Sequence, residues 1–240
     1  MKSERRVIVA LDVETADDAR EIIAQLGAGA AAFKIGLQLF TSAGPEFVRE
    51  VAADHRVFLD LKFHDIPNTV AKAGIEAARL GVWMFNVHAS GGSEMMSETV
   101  RHVQSFCKVE DLPRPLIIGV TVLTSSDANA LREAGIERSA KDQVLRLAHL
   151  ASECGLDGVV SSPQEVLAIR NSVTKPGFLI VTPGVRPDFA TNDDQKRVTT
   201  PGQAVSEGSD YLVIGRPILQ ADDRAAALRK LCEEIEAADK

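Results

Sequence analysis

Residues 57–87 read VFLDLKFHDIPNTVAKAGIEAARLGVWMFNV. The run Val57–Leu61 is apolar apart from Asp60 and too short for a helix, and such a run suits a strand covered on both faces. Pro67 then opens a helix that runs through Leu80 and stops at Gly81. Proline in the first turn and glycine just past the end are the favoured helix punctuation. A second apolar run, Trp83–Val87, follows at once. Strand, helix and strand within about 30 residues make a crossover unit between parallel strands.

The same unit recurs from end to end. Further apolar runs fall at Val7–Leu11, Ala31–Ile35, Leu116–Val122, Gly158–Val160, Phe178–Val181 and Tyr211–Ile214. Helical patterns separate them. Ala16–Leu26 follows the N-cap Thr15, with Asp17 and Asp18 where the helix dipole favours acid. Pro45–Val51, Ser139–Cys154, Pro163–Arg170, Pro201–Glu207 and Ala221–Ala237 supply others. Gly91-Gly92 reads as a turn into a helix carrying Met95 and Met96. Eight strand–helix units in 240 residues predict an α/β fold, a single-domain (β/α)8 TIM barrel over residues 1–240. That fold takes about 250 residues.

A doubly wound open sheet is the competing architecture. Its dinucleotide form needs a glycine fingerprint after the first strand. This chain has Ala10-Leu11-Asp12-Val13-Glu14-Thr15 there, and the partial match Gly27-Ala28-Gly29-Ala30-Ala31-Ala32 precedes a strand instead.

Composition bounds the function. Asp and Glu total 34 against 27 Lys and Arg, a formal net charge of -7. A nucleic-acid backbone rewards the opposite sign, and 9 Phe, one Trp and one Tyr leave few platforms for stacked bases. A small anionic ligand is not excluded, because it responds to the local field alone. Cys107, Cys154 and Cys232 are odd in number, far apart and without CxxC spacing. That fits a reducing compartment better than disulfides or zinc. The apolar run behind Lys2, Arg5 and Arg6 stops at Asp12, too soon for a signal-peptide core. No stretch approaches the ~20 apolar residues of a spanning helix. A soluble, cytoplasmic protein without a membrane or nucleic-acid partner is expected.

In a barrel, chemistry gathers at the C-terminal ends of the strands. Here those ends carry Asp12, Lys34, Asp60 with Lys62, Asn86 with His88, Thr121 with Thr124, then Thr182, Pro183 and Arg186, and finally Gly215 and Arg216. Asp60 and Lys62 lie two apart, so strand alternation sends both side chains to one face, the barrel interior. A structural ion pair is the plain alternative. Yet isolated charge is costly to desolvate, and Lys34 and Asp12 on neighbouring strands can join the pair. Crowded titratable groups of this kind mark active sites.

A second, cationic group follows strands seven and eight, where barrels commonly bind phosphate. Gly215 lets the backbone approach a ligand closely, and Arg186 and Arg216 offer forked donors. The bland reading of each arginine is a solvated surface charge. The segment Gly184–Thr200, with Asn192, Asp193, Asp194 and Gln195, has the length of a lid. The five histidines show no metal spacing, and GxSxG, P-loop and HExxH motifs are absent.

The run Asp60-Leu61-Lys62-Phe63-His64-Asp65-Ile66-Pro67-Asn68-Thr69 has the form D-x-K-x-x-D-I-P-x-T. It resembles the signature of the orotidine 5′-phosphate decarboxylases of compact bacterial type. The likeness extends through Ala10–Asp12, Phe33–Gly36, Asn86–Ala89, Thr121–Ser125, Thr182–Pro187 and Val213–Pro217, without departure from the pattern. Related hexulose-phosphate synthases and keto-gulonate-phosphate decarboxylases share only D-x-K-x-x-D and use magnesium.

The resemblance implies decarboxylation of orotidine 5′-phosphate to uridine 5′-phosphate with no metal and no cofactor, the last step in making that nucleotide. It implies that Lys62 is the catalytic lysine, held between Asp60 and Asp65. Asp65, Ile66 and Thr69 would serve the neighbouring subunit's site in a homodimer. Lys34 and Asp12 would meet the ribose hydroxyls and tie into the charge network, with Lys34 counted among the catalytic residues, and Thr124 would meet the pyrimidine edge. Pro183, Arg186, Gln195, Gly215 and Arg216 would hold the phosphate, Gln195 from a closing loop. Three rivals stay open on the residues: a Schiff-base aldolase using Lys34 or Lys62, a magnesium-dependent relative, and a silent binder of phosphate ligands.

Overall fold

Eight strands form where the apolar runs lie: β1 Val7–Ala10, β2 Ala32–Gly36, β3 Val57–Phe63, β4 Met84–His88, β5 Leu116–Val120, β6 Gly158–Val160, β7 Leu179–Pro183 and β8 Tyr211–Ile214. The structure, a computed structural model, describes residues 6–187 and 199–238. Each strand pairs in parallel with its sequence neighbours, and β8 pairs with β1, so Ile8 stands opposite both Ala32 and Val213. Closure rules out the open sheet. It also explains why the runs are largely apolar, since every strand is covered inside and outside.

The barrel is filled by Ile8, Ala32, Phe58, Met84, Ile118, Val181 and Tyr211, which pack as one buried cluster. Their chain neighbours Val7, Val9, Phe33, Val57 and Leu59 join a second cluster shared with the helices. At the N-terminal end Trp83 packs edge-on against Tyr211, ring centroids 5.2 Å apart, and Arg56 lies over the Trp83 ring.

The helices are α1 Ala16–Leu26, α2 Leu37–Asp54, α3 Pro67–Arg79, α4 Gly92–Val109, α5 Ala128–Glu133, α6 Ala140–Glu153, α7 Val166–Ser172, α8 Pro201–Ser206, α9 Arg216–Leu219 and α10 Arg224–Ala238. The expected caps operate: Thr15 accepts from the Asp18 N–H, and Ser139 accepts from the Asp142 N–H. Helix α2 begins well before the expected Pro45. Gly44, at φ 75°, breaks it into two pieces, and Pro45 opens the second. Helices α5 and α9 were not expected, because four to six residues carry too little periodicity to read.

At the N-terminal face two staples repeat. Asp157, before β6, accepts from the Ile117 N–H at 2.7 Å and from Arg114 at 2.9 Å. Asp210, before β8, accepts from the Ile180 N–H at 2.8 Å and pairs with Arg170. Each carboxylate ties the start of its strand to the neighbouring strand. Asp157→Ala orphans both partners and is expected to lower the unfolding free energy by about 1–3 kcal/mol in urea melts. Ligand binding at the opposite end of the barrel should be unchanged per folded molecule, and a changed affinity there would refute this separation.

Candidate active site

Lys34 in β2 stands opposite Ala10 of β1 and Phe58 of β3. Asp12 and Asp60 each lie two residues further along their chains, so they rise on either side of the lysine. Its ammonium is 3.1 Å from Asp12 Oδ1 and 3.4 Å from Asp60 Oδ2. Lys62 Nζ is 2.7 Å from the other oxygen of Asp60. The signs therefore alternate, Asp12–Lys34–Asp60–Lys62. The Lys34 and Asp60 side chains are only 10% and 14% exposed, whereas Asp12 is 62% exposed. The central pair is desolvated and its flanks open to the barrel mouth. Gly36 leaves the space, since a Cβ there would sit 3.1 Å from the Lys34 ammonium.

Burial alone would raise the affinity of Asp60 for a proton. The charges of Lys34 and Lys62, with hydrogen bonds from Lys62 and Asn86, outweigh it and hold the carboxyl below its ordinary range. Asp60 thus stabilises the fold above the usual carboxylate pKa, and that contribution disappears as pH falls through the depressed value. His88 is shifted down chiefly by burial, then by His64 and Lys62, so its ring is neutral at neutral pH. It packs against His64 with ring centroids 5.4 Å apart.

Strand alternation is an incomplete reason for the nearness of Asp60 and Lys62. The register of β3 against β4 shifts between Leu59 and Phe63, and Lys62 has φ 51°. A left-handed backbone at a residue with a Cβ costs on the order of 1 kcal/mol or more. Asn86, buried in β4, meets this distortion: its Oδ1 accepts from the Lys62 N–H at 2.8 Å, and its Nδ2 donates to Asp60 Oδ1 at 2.7 Å. In the sequence Asn86 was only a polar residue at a strand end.

Asp65, Ile66 and Thr69 do not reach Lys62 of their own chain through any ion pair or side-chain hydrogen bond among the described residues. All three are exposed, and Asp65 Oδ1 accepts from the Ile66 N–H at 2.6 Å. Thr124 is exposed beyond β5. Pro183 of β7 pairs with Val213 of β8, and Arg186 and Arg216 follow that pair by equal steps on adjacent loops. The Arg186 N–H bonds to the Thr199 carbonyl at 3.2 Å, while Arg216 opens α9 directly after Gly215. Neither guanidinium has an ion-pair partner among the described residues. Gln195 lies outside the described residues. Thr121 and Thr182 are occupied structurally, by the Val160 carbonyl and the Ser209 hydroxyl. Among the described residues, no three His, Cys, Asp or Glu side chains gather as metal ligands.

The sequence matches the profile of the Orotidine 5′-phosphate decarboxylase / HUMPS family over residues 5–231. The orotidine 5′-phosphate decarboxylase of Syntrophotalea carbinolica is 52% identical over 241 residues, covering 99% of this chain and 98% of that protein. That of Moorella thermoacetica is also 52% identical, over 98% and 94%. The crystal structure of orotidine 5′-phosphate decarboxylase from Lactobacillus acidophilus superposes with a TM-score of 0.85 at 36% identity, covering 96% of this chain and 99% of that one. Identity near one half across nearly the whole of both sequences makes the chain a member of the orotidine 5′-phosphate decarboxylase / HUMPS family.

Proposed function

We propose that the protein decarboxylates orotidine 5′-phosphate to uridine 5′-phosphate and CO2 without metal or organic cofactor. It does so as a cytoplasmic homodimer with one barrel unit per chain, in de novo pyrimidine nucleotide synthesis. The observation that carries this reading is the alternating Asp12–Lys34–Asp60–Lys62 chain at the barrel mouth of a member of this family.

Loss of CO2 from the pyrimidine leaves an electron pair on a ring carbon with no conjugated sink. The Lys62 ammonium, fixed by Asp60, lies beside that carbon and stabilises the developing anion. It then gives up a proton, so the electron pair of the broken C–C bond becomes a C–H bond. Neutral Lys62 recovers its proton from water. Asp60 holds the ammonium in place at 2.7 Å and faces the substrate carboxylate, which disfavours the ground state more than a transition state whose charge has moved into the ring. Lys34 keeps Asp60 ionised.

Asp12 and Lys34 take the ribose hydroxyls, Thr124 the pyrimidine edge, and Pro183, Arg186, Gln195, Gly215 and Arg216 the phosphate. Phosphate binding far from the reacting bond is then available to the transition state. Asp65 completes the other flank of Lys62 in the neighbouring subunit, with Ile66 and Thr69 beside it.

The test follows orotidine 5′-phosphate absorbance in the ultraviolet, using protein treated exhaustively with chelator. Undiminished turnover is expected. A requirement for added magnesium would assign the chain to the metal-dependent branch of its family. Binding of uridine 5′-phosphate with orotidine 5′-phosphate unchanged over hours would leave a silent binder, and a borohydride-trapped adduct with a carbonyl substrate would mean an aldolase. Arg216→Ala is expected to lower kcat/KM on the order of 100-fold, mainly through KM, by removing a charged phosphate donor. An unchanged KM would take Arg216 out of the phosphate site.

A further inference from the structure

The assignment of Lys62 as proton donor, on which this inference rests, requires something to hold a lysine whose backbone is left-handed. We propose that Asn86 is a positioning residue that fixes Lys62 and Asp60 as one unit. Asn86 is 1% exposed, and its single amide closes a ring of contacts. The Lys62 N–H donates to Asn86 Oδ1 at 2.8 Å, Asn86 Nδ2 donates to Asp60 Oδ1 at 2.7 Å, and the same oxygen accepts from Lys62 Nζ at 2.7 Å. Both ends of one lysine, its backbone N–H and its ammonium, are thereby tied through two side chains.

The amide orientation is fixed by chemistry. A backbone N–H can only donate and an ionised carboxylate can only accept, so a flipped amide would set donor against donor and acceptor against acceptor. The β3–β4 register is interrupted between Leu59 and Phe63, and the side chain of Asn86 fills that interruption. An apolar residue there would strand a backbone N–H, an aspartate would face Asp60 with like charge, and a glutamine is one methylene too long for the same ring.

The test compares wild type with Lys62→Ala, Asn86→Ala and Asn86→Asp. In Asn86→Ala, kcat should fall on the order of 100-fold while the Kd for uridine 5′-phosphate, measured by calorimetry, changes less than about threefold. A role in packing alone would lower the melting temperature without separating those two quantities. The Asn86→Asp carboxyl reproduces the amide when protonated, donating to Asp60 and accepting from the Lys62 N–H. Once ionised it repels Asp60. Its activity relative to wild type should therefore fall as pH rises. Among the described residues, the other charged or titratable groups of the site are Lys62 and His64 from the β3 segment, Lys34 of β2, Asp12 beyond β1 and His88 of β4. They are common to both proteins, so a pH trend in the ratio reports the new carboxyl and the groups it couples to.

A folded Asn86→Ala with kcat within threefold of wild type, or an Asn86→Asp ratio flat in pH, overturns the proposal. If neither variant folds, hydrogen exchange of the wild-type Lys62 amide decides. Protection above that of the His64 and Asp65 amides supports the tie, and exchange at their rate removes it. Failure of the underlying reading looks different: Lys62→Ala would then keep wild-type turnover, and Asn86 would lose its role with it.

Discussion

Lys62→Ala is expected to lower kcat on the order of 10⁴-fold or more while uridine 5′-phosphate still binds within about tenfold of wild type. Two contributions meet in one nitrogen. Positioned proton transfer supplies roughly 10²–10⁴-fold, and one preorganised charge beside a developing anion supplies roughly 10²–10³-fold. Removing the ammonium also leaves Asp60, among the described residues, with Lys34 alone as its cationic partner, at 3.4 Å. Asp60 should then bind a proton more readily, so the loss deepens toward acid. Lys62→Arg separates the contributions, because a guanidinium keeps the charge and does not give up its proton. It should bind product and remain deeply impaired. The ultraviolet assay checks both variants, and Lys62→Ala retaining more than about 1% of wild-type kcat would remove the lysine from the chemistry.

The legible part of this protein is what a closed parallel barrel makes uniform. Adjacent strands rise in step, so Asp12, Lys34 and Asp60, read as polar residues at three strand ends, meet in space. The same logic places Arg186 and Arg216 on neighbouring loops past the Pro183–Val213 pair. What the sequence hides is local irregularity. Lysine normally avoids φ 51°, so nothing in the chain marks Lys62 as left-handed. The role of Asn86 depends on that distortion and on which strand lies across from it. Gly44 was invisible for the converse reason. A glycine before Pro45 reads as the start of a helix, although it is a kink inside one.

Mixing Lys62→Ala with Asp65→Ala protein is expected to restore about a quarter of wild-type activity from two preparations that are each nearly inactive. If the site is shared across a two-fold axis, each site takes Lys62 from one subunit and Asp65 from the other. A mixed dimer then has one site with both lesions and one with neither. Random reassortment makes about half of all dimers mixed, so about one site in four is intact. The motive is the position of Asp65, which is exposed and has no cationic partner in its own chain among the described residues. The adjacent Ile66 is 65% exposed, a large apolar side chain that a second copy would cover. If Asp65 acted within its own subunit, the mixed dimer would hold one site lacking Lys62 and one lacking Asp65, and mixing would restore nothing. Native mass spectrometry must show the mixed dimer in either case. With that dimer present, activity no greater than the sum of the separate preparations would place Asp65 outside its neighbour's site.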